Sequence, residues 1–203
     1  MIKNVIFDFG NVLTQYDPVA WAAGVMNKDF KKGKYLHDKT IDNKKIWEDY
    51  DAGLCTEAEV IDRLRADIEP EYRDAVTEYV KTVEQCFSQY DEMIPVIQKL
   101  KDNGCRTFLL SNFPLEMFVK VAARCPILDM LDAQIVSYKI HLTKPHADIF
   151  EYVLNTYGLK ADECLFADDC ATNTGACEKV GIHGYTFTTA EKFESHLKEL
   201  QVI

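Results

Sequence analysis

Residues 5–13, VIFDFGNVL, join an apolar run to a carboxylate and then to a glycine and an asparagine. The apolar run before Asp8 is typical of a buried strand, and Gly10-Asn11 after it is typical of a loop. We therefore predict a first strand over residues 2–7 that presents Asp8 at its carboxyl end. A single acid at a strand end has an ordinary structural explanation, because Asp favours turns and helix N-caps. The rest of the chain decides whether this one has a chemical role.

The composition limits the classes of protein to consider. The chain has 203 residues, 47% of them hydrophobic, which is enough for one large domain or for a core with an inserted subdomain. Its net charge of −10 argues against a nucleic-acid partner and a peripheral membrane role, because phosphate contacts need basic residues. No stretch approaches the ~20 apolar residues of a membrane helix. Seven cysteines without a C-x-x-C pair fit a reducing compartment. We expect a cytoplasmic protein that binds neither nucleic acid nor membrane; its oligomeric state is not predicted.

Two regions of the chain have different patterns. Residues 17–90 carry helical signals and no convincing strand; TEAEVIDRL, for example, places Thr56 and Glu59 at the spacing of a capping box. From residue 91 onward, helical and strand patterns alternate, as in MIPVIQKLKDNG, CRTFLLSN, ADIFEYVLNTYG and CLFADD. Such alternation predicts βαβ crossovers and a parallel sheet covered on both faces. We therefore expect an α/β fold in which residues 1–16 and 91–203 form the core and residues 17–90 form an inserted helical subdomain.

Polar residues follow several of the predicted core strands. They are Asp8, Ser111, Asn112, Lys144, Asp168 and Asp169. Because ligands bind beyond the carboxyl ends of strands in open parallel sheets, we expect these side chains to meet at one edge. The set suits phosphoryl transfer: carboxylates hold Mg²⁺, one carboxylate attacks phosphorus, and a hydroxyl and an ammonium stabilise the phosphoryl oxygens. Clustered acids would repel each other without a cation, so the cation is part of this prediction.

Four segments of the chain carry a family resemblance. In order, they are VIFDFGNVL, TFLLSN, TKPHADIF and CLFADDCATN. Together they resemble the four motifs of the haloacid dehalogenase-like hydrolase superfamily, with residues 17–90 in the place of a helical cap. The resemblance covers the whole chain and implies a Rossmann-like parallel sheet of about five strands in the order 5-4-1-2-3, which would place Asp8 centrally. The form FDFGNV further resembles the first motif of bacterial glucose-1-phosphate phosphatases.

The resemblance also implies roles for the residues of the first three motifs. Asp8 would be the nucleophile and a Mg²⁺ ligand, and the backbone carbonyl of Gly10 would be another ligand. Ser111 and Asn112 would bind the phosphoryl group. Lys144 would bridge this group and Asp8.

The last motif contains two acids that compete for the metal. Asp169 and Asn173 have the D-x-x-x-D/N spacing of the family. We therefore favour Asp169 as a direct Mg²⁺ ligand, with Asp168 bound directly or through water. Asn173 would be a supporting hydrogen-bond partner.

Gly10 departs from the pattern of most phosphatases in the superfamily, which carry a second Asp there as general acid and then base. Without that carboxyl, a poor leaving alkoxide would depart slowly. One interpretation is a phosphatase whose substrate needs less help, such as a sugar 1-phosphate, because an anomeric oxygen leaves more easily than an ordinary alkoxide. Water or a cap residue could supply the proton, and Asp17 and His37 are hypotheses for the latter.

Two other interpretations remain open. Haloacid dehalogenases also lack the second Asp, but they do not use Mg²⁺, and the pair Asp168-Asp169 would repel a carboxylate substrate. A non-catalytic protein that keeps the pocket would bind a phosphorylated ligand without hydrolysing it. The favoured expectation is a Mg²⁺-dependent phosphatase that acts on a small phosphorylated metabolite through a phospho-Asp8 intermediate.

Overall fold

The computed structural model describes residues 1–203 and contains a five-stranded sheet and a two-stranded sheet. The strands are β1 (Asn4–Phe7), β2 (Thr14–Tyr16), β3 (Phe87–Gln89), β4 (Arg106–Ser111), β5 (Ala133–Val136), β6 (Cys164–Asp168) and β7 (His183–Thr186). The helices are α1 (Pro18–Val25), α2 (Phe30–Lys39), α3 (Lys44–Asp51), α4 (Glu57–Asp67), α5 (Arg73–Thr82), α6 (Met93–Asp102), α7 (Leu115–Ala122), α8 (Ser137–Ile140), α9 (Ala147–Tyr157), α10 (Ala171–Glu178) and α11 (Ala190–Glu199). Short 3₁₀ turns cover Pro70–Tyr72, Val83–Cys86, Pro126–Met130 and Ala161–Glu163. None of the helices has the length and apolar character needed to span a membrane.

The five-stranded sheet is parallel throughout, in the order β5-β4-β1-β6-β7. Counted among the strands of this sheet alone, the order is 3-2-1-4-5, which is the predicted order 5-4-1-2-3 read from the opposite edge. In the central strand β1, Phe7 pairs with Leu109 on one side and with Ala167 on the other. The α/β fold class and the central place of the first strand are therefore confirmed.

Helices cover both faces of this sheet. Alternate residues of β1 belong to different hydrophobic clusters: Phe7 packs with Phe193 of α11, and Ile6 packs in the cluster that contains Phe150 of α9. All four residues of β1 are buried. Because both faces of a covered parallel sheet are buried, its strands are apolar at consecutive positions. This burial explains the apolar run at the start of the chain.

The region between β2 and β3 consists of helices α1 to α5, in agreement with the helical signals predicted there. Thr56 caps α4 and Glu59 bonds back to the Thr56 backbone, so the predicted capping box is confirmed. β2 and β3 pair antiparallel at the two ends of this region. They are not predicted from the sequence, because three residues are too few to show a period of two. The division into a core and a separate cap over residues 17–90 stays a prediction.

Candidate active site

Three carboxylates meet at the carboxyl end of the five-stranded sheet. Asp8 directly follows β1, Asp168 ends β6, and Asp169 comes next. The strands are parallel neighbours, and the Asp8 amide donates a hydrogen bond to the carbonyl of Ala167 at 2.9 Å. One oxygen of each carboxylate lies within 4.8 Å of one oxygen of each of the others. The three acids are close enough to share a cation.

Lys144 is placed among these acids. Its Nζ lies 2.7 Å from Asp8 Oδ1 and 2.7 Å from Asp168 Oδ2, and its side chain is 2% exposed. Its backbone is held by Asn112: the Lys144 amide donates to Asn112 Oδ1 at 2.8 Å, and Asn112 Nδ2 donates to the Lys144 carbonyl at 2.8 Å. Both polar ends of the Asn112 side chain are therefore used to position Lys144. The phosphoryl-binding role expected of Asn112 stays a prediction.

Burial and charge act in opposite directions on this cluster. Burial raises the pKa of Asp8 to about 7; the positive charge of Lys144 acts against this rise, and the negative charge of Asp168 adds to it. Burial alone would lower the pKa of Lys144, but the charges of Asp168 and Asp8 outweigh it and raise that pKa. One ammonium does not balance three carboxylates. An additional cation would therefore stabilise the ionised form of the cluster.

Asp168 and Asp169 have different surroundings. Asp168 is fully buried and accepts hydrogen bonds from Lys144, from the amide of Cys170 at 2.8 Å and from Asn173 Nδ2 at 3.0 and 3.1 Å. Asp169 is exposed and accepts from Asn11 Nδ2 at 2.9 Å. The support expected of Asn173 is thus directed at Asp168. The Asp169 carboxylate accepts fewer hydrogen bonds than that of Asp168, and Asp169 lines the cavity.

Ser111 and Gly10 complete the predicted set. Ser111 ends β4 and is 2% exposed. Both residues line the same cavity as Asp8. A Cβ at Gly10 would find its nearest neighbour, Tyr16 Cδ1, at 3.9 Å, which is an ordinary van der Waals distance. Lack of space therefore does not explain the missing carboxylate at this position.

The cavity has a volume of about 500 Å³ and offers both charged and apolar surface. Its hydrophobic residues are Tyr16, Ile41, Trp47, Phe87, Phe113, Met117 and Cys170, and Pro114 and Pro145 also line it. The rings of Tyr16 and Phe87 stack with centroids 4.1 Å apart, and those of Phe87 and Phe113 lie 5.2 Å apart. A larger cleft of about 650 Å³ elsewhere on the molecule is lined by none of the predicted site residues. The smaller cavity is therefore the candidate active site.

Helix α3 supplies another part of the cavity wall through Trp47, Glu48 and Asp51. Two residues that flank Lys144 in the chain hold Glu48: Thr143 Oγ1 donates to Glu48 Oε1 at 2.9 Å, and His146 Nε2 lies 3.0 Å from the same oxygen. No pattern in the sequence marks either acid, since acidic residues on an amphipathic helix are usually a solvated face. Only the way α3 packs brings them to the cavity.

The end of α3 is also fixed to the segment that precedes Lys144. The hydroxyl of Ser137 donates to the carbonyl of Asp51. His141 Nδ1 lies 2.8 Å from the carbonyl of Ala52. The last turn of α3 is therefore anchored directly to the core, close to the Lys144 loop.

The two residues suggested as proton donors, Asp17 and His37, do not line this cavity. The Asp17 carboxylate caps α1 by accepting from the Ala20 amide at 2.9 Å. His37 Nδ1 lies 2.9 Å from the Tyr79 hydroxyl, and burial lowers the pKa of the His37 ring. Neither Asp17 nor His37 lines the cavity. Their own local contacts account for both residues.

The fold and the cluster at the strand ends define a class of protein that the comparisons identify. A profile of haloacid dehalogenase-like hydrolases matches residues 2–181, and the chain belongs to this family. It is 25% identical to Sesquiterpene phosphatase astK of Aspergillus oryzae over 198 residues, which cover 98% of this chain and 96% of that protein. The resemblance stated from the four motifs is confirmed, and the protein is a hydrolase of this family.

Solved structures show the same fold. One is a HAD family enzyme from Bacteroides thetaiotaomicron in complex with magnesium and inorganic phosphate, with a TM-score of 0.71, 23% identity and coverage of 93% of this chain and 95% of that one. Another is the L-2-haloacid dehalogenase from Xanthobacter autotrophicus, with a TM-score of 0.65, 18% identity and coverage of 100% and 85%. At these identities the likeness concerns the fold.

Proposed function

We propose that the protein is a Mg²⁺-dependent phosphatase that hydrolyses a small phosphate monoester through phosphorylation of Asp8. One observation carries this proposal: among the three clustered acids, Asp8 is the one that both contacts Lys144 and lines the cavity. Asp168 contacts Lys144 but does not line the cavity, and Asp169 lines the cavity without contacting Lys144. These contacts support Asp8 as the acid that attacks a bound substrate beside a positive charge.

Asp8, Asp169 and the backbone carbonyl of Gly10 would hold the Mg²⁺, with Asp168 bound directly or through water. The donor set fits, because Mg²⁺ prefers oxygen ligands and the cluster carries excess negative charge. The hydrogen bonds that occupy Asp168 favour Asp169 as the direct ligand. When bound, the ion stabilises negative charge on the phosphoryl oxygens. The Bacteroides enzyme, which was solved with magnesium and inorganic phosphate, supports the choice of Mg²⁺ as the metal.

In the first step, an oxygen of Asp8 forms a bond to phosphorus and the bond between phosphorus and the ester oxygen breaks. Lys144 and the Ser111 hydroxyl stabilise the phosphoryl oxygens during this transfer. The ester oxygen takes a proton, from water or from a side chain at the cavity, and leaves as the free alcohol. In the second step, water attacks phosphorus, the bond to Asp8 breaks, and inorganic phosphate is released with Asp8 restored.

Two classes of substrate follow from two observations. Gly10 supplies no acid, which favours an ester with a good leaving group such as a sugar 1-phosphate. The apolar cavity wall, including Trp47 and Phe87, favours instead the phosphate of an apolar alcohol, since apolar groups gain by leaving water. The similarity to a sesquiterpene phosphatase supports the second class. Residues 17–90, which we propose form a cap, supply part of this wall.

A screen of phosphate esters with and without Mg²⁺ tests the function. It includes sugar 1-phosphates, sugar 6-phosphates, nucleotides and phosphates of apolar alcohols, with Asp8→Asn as control. We expect Mg²⁺-dependent phosphate release that falls by at least about 10³-fold in Asp8→Asn, because the nucleophile is lost. Equal or better turnover of sugar 6-phosphates and nucleotides would count against the leaving-group argument.

Assays of the wild type separate the two alternatives. If the wild type binds phosphate esters but hydrolyses none, the protein is a non-catalytic binding protein. Release of chloride from 2-chloropropionate without added metal would instead indicate a haloacid dehalogenase.

A further inference from the structure

We propose that Asp51, the last residue of α3, donates the proton that the leaving oxygen needs and takes the place of the acid missing at Gly10. This inference rests on the proposed function, because it concerns the first chemical step of that reaction. The relevant observation is that Asp51 and Asp8 line the same cavity but come from different elements: Asp51 ends α3, and Asp8 follows β1 of the sheet. A proton donor must approach the ester oxygen from the side away from the nucleophile.

The position of Asp51 is determined by the core. Ser137 donates a hydrogen bond to the carbonyl of Asp51 itself, and His141 contacts the carbonyl of Ala52 at 2.8 Å. At Gly53, the next residue, an added Cβ would lie only 2.7 Å from the carbonyl oxygen of Tyr138. The backbone from Asp51 to Gly53 is thus packed against residues 137–141. A proton donor needs this kind of fixed placement.

Glu48 is the other acid of α3 that lines the cavity, and it is less suited to give up a proton. Hydrogen bonds from Thr143 and then from His146 lower its pKa, so it is ionised. Burial raises the pKa of Asp51 to about 8, although the Trp47 side chain and the charge of Lys144 act against this rise. The negative charges of Glu48 and Asp8 add to it. Asp51 therefore carries a proton at neutral pH, as a general acid must.

The proton transfers balance over the two steps. As the bond between Asp8 and phosphorus forms and the ester bond breaks, the Asp51 carboxyl gives its proton to the leaving oxygen, which departs as the alcohol. The resulting Asp51 carboxylate then accepts a proton from the attacking water. The bond between phosphorus and Asp8 breaks, and phosphate is released with Asp51 protonated again.

Substrates that differ in leaving-group basicity test this role. Benzyl phosphate and p-nitrophenyl phosphate are similar in size, but only the benzyl alkoxide needs a proton to leave. We expect Asp51→Asn to lower the ratio of kcat/KM for benzyl phosphate to kcat/KM for p-nitrophenyl phosphate by about 10²-fold. The parameter kcat/KM is chosen because it excludes the later dephosphorylation step. A merely structural role of Asp51 would lower both values by the same factor.

Two further variants control the result. Asp49→Asn changes a carboxyl on the same helix that does not line the cavity, and it should leave the ratio at its wild-type value. Gly10→Asp combined with Asp51→Asn should restore the ratio toward that of the wild type, because position 10 has room for a side chain. If the wild type is active and Asp51→Asn leaves the ratio unchanged, the role of Asp51 is wrong but the proposed function stands. If the wild type hydrolyses neither ester with Mg²⁺, the proposed function itself fails.

Discussion

The sheet edge and helix α3 contribute to the same cavity, but they are held in different ways. At the sheet edge, Asp8, Ser111 and Asp168 lie at the ends of paired strands, so the backbone hydrogen bonds of a parallel sheet set their spacing. On the other side, Asp51 and Glu48 depend on a few hydrogen bonds between α3 and residues 137–146. Asp8 and Ser111 are thus held by the pairing of strands, whereas Asp51 and Glu48 are held by hydrogen bonds to side chains of residues 137–146.

Because of this difference, we expect changes on α3 and changes at the sheet edge to have different effects. A change on α3 can alter the surroundings of the leaving group while the acids and Lys144 keep their spacing. A change at the sheet edge disturbs buried charges and therefore affects stability as well as chemistry. The following predictions test this separation.

The largest effect is expected from Lys144→Met. The substitution leaves Asp8 and Asp168 without their buried cation, and breaking a buried pair in this way costs about 3–5 kcal/mol of the free energy of unfolding. Urea unfolding at pH 7.5 measures it. The control is Lys99→Met, which removes an ion pair between Lys99 and Glu194 at 2.8 Å that remains partly exposed, and for which we expect less than about 1 kcal/mol. If both variants lose the same free energy of unfolding, the buried charges at the sheet edge do not contribute more to stability than an exposed ion pair.

The next effect concerns Asp51→Asn and its dependence on pH in metal-free protein. Burial raises the pKa of Asp51 in the folded state to about 8, whereas the carboxyl ionises near pH 4 in the unfolded state. The free energy of unfolding of the wild type therefore falls as pH rises from about 4 to about 8. Below this range Asp51 is protonated in both the folded and the unfolded state, so Asp51→Asn is no more stable than the wild type. Above it the gain is constant, on the order of 2 kcal/mol, because partial exposure reduces the value of about 1.4 kcal/mol per pKa unit. Thermal unfolding across this range measures the gain; a pH-independent difference would contradict it.

A smaller effect is expected from Mg²⁺ itself. Binding to the folded state should raise the free energy of unfolding by about 1.4 kcal/mol when Mg²⁺ is tenfold above its Kd. Asp169→Asn should remove most of this stabilisation, because we propose Asp169 as a direct ligand. Asp62→Asn is the matched control, since Asp62 is an exposed acid on α4 outside the cavity. Thermal unfolding with and without Mg²⁺ measures the shift, and a full shift in Asp169→Asn would exclude that role.

The smallest effect is expected where α3 meets the core. Thr143 is buried and its hydroxyl bonds to Glu48, so Thr143→Val should cost about 1 kcal/mol of the free energy of unfolding. The His146 side chain is 62% exposed in its contact with Glu48, so His146→Ala should cost less than about 0.5 kcal/mol. Urea unfolding compares the two variants. A larger loss in His146→Ala would show that the exposed contact holds α3.

The fold and the sheet edge could be predicted because both leave local patterns. The apolar run before Asp8 marks a buried strand, and the alternation after residue 91 marks a parallel sheet; the position of a polar residue at a strand end follows from these patterns alone. The short strands β2 and β3 were missed because three residues show no period. The hypotheses for Asp17 and His37 lacked support for a different reason, since nothing in a helical sequence tells which face will cover a cavity.

The sequence by itself determined that Asp8, Ser111 and Asp168 lie at strand ends, because each is placed by its own strand. Only the tertiary structure decided that Asn112 holds the Lys144 backbone and that Asp51 reaches the cavity while Asp17 and His37 do not. The physical reason is the range of the interactions involved. Strand ends depend on local periodicity and the regular register of a sheet, whereas these contacts join residues far apart in the chain and depend on how helices and loops pack.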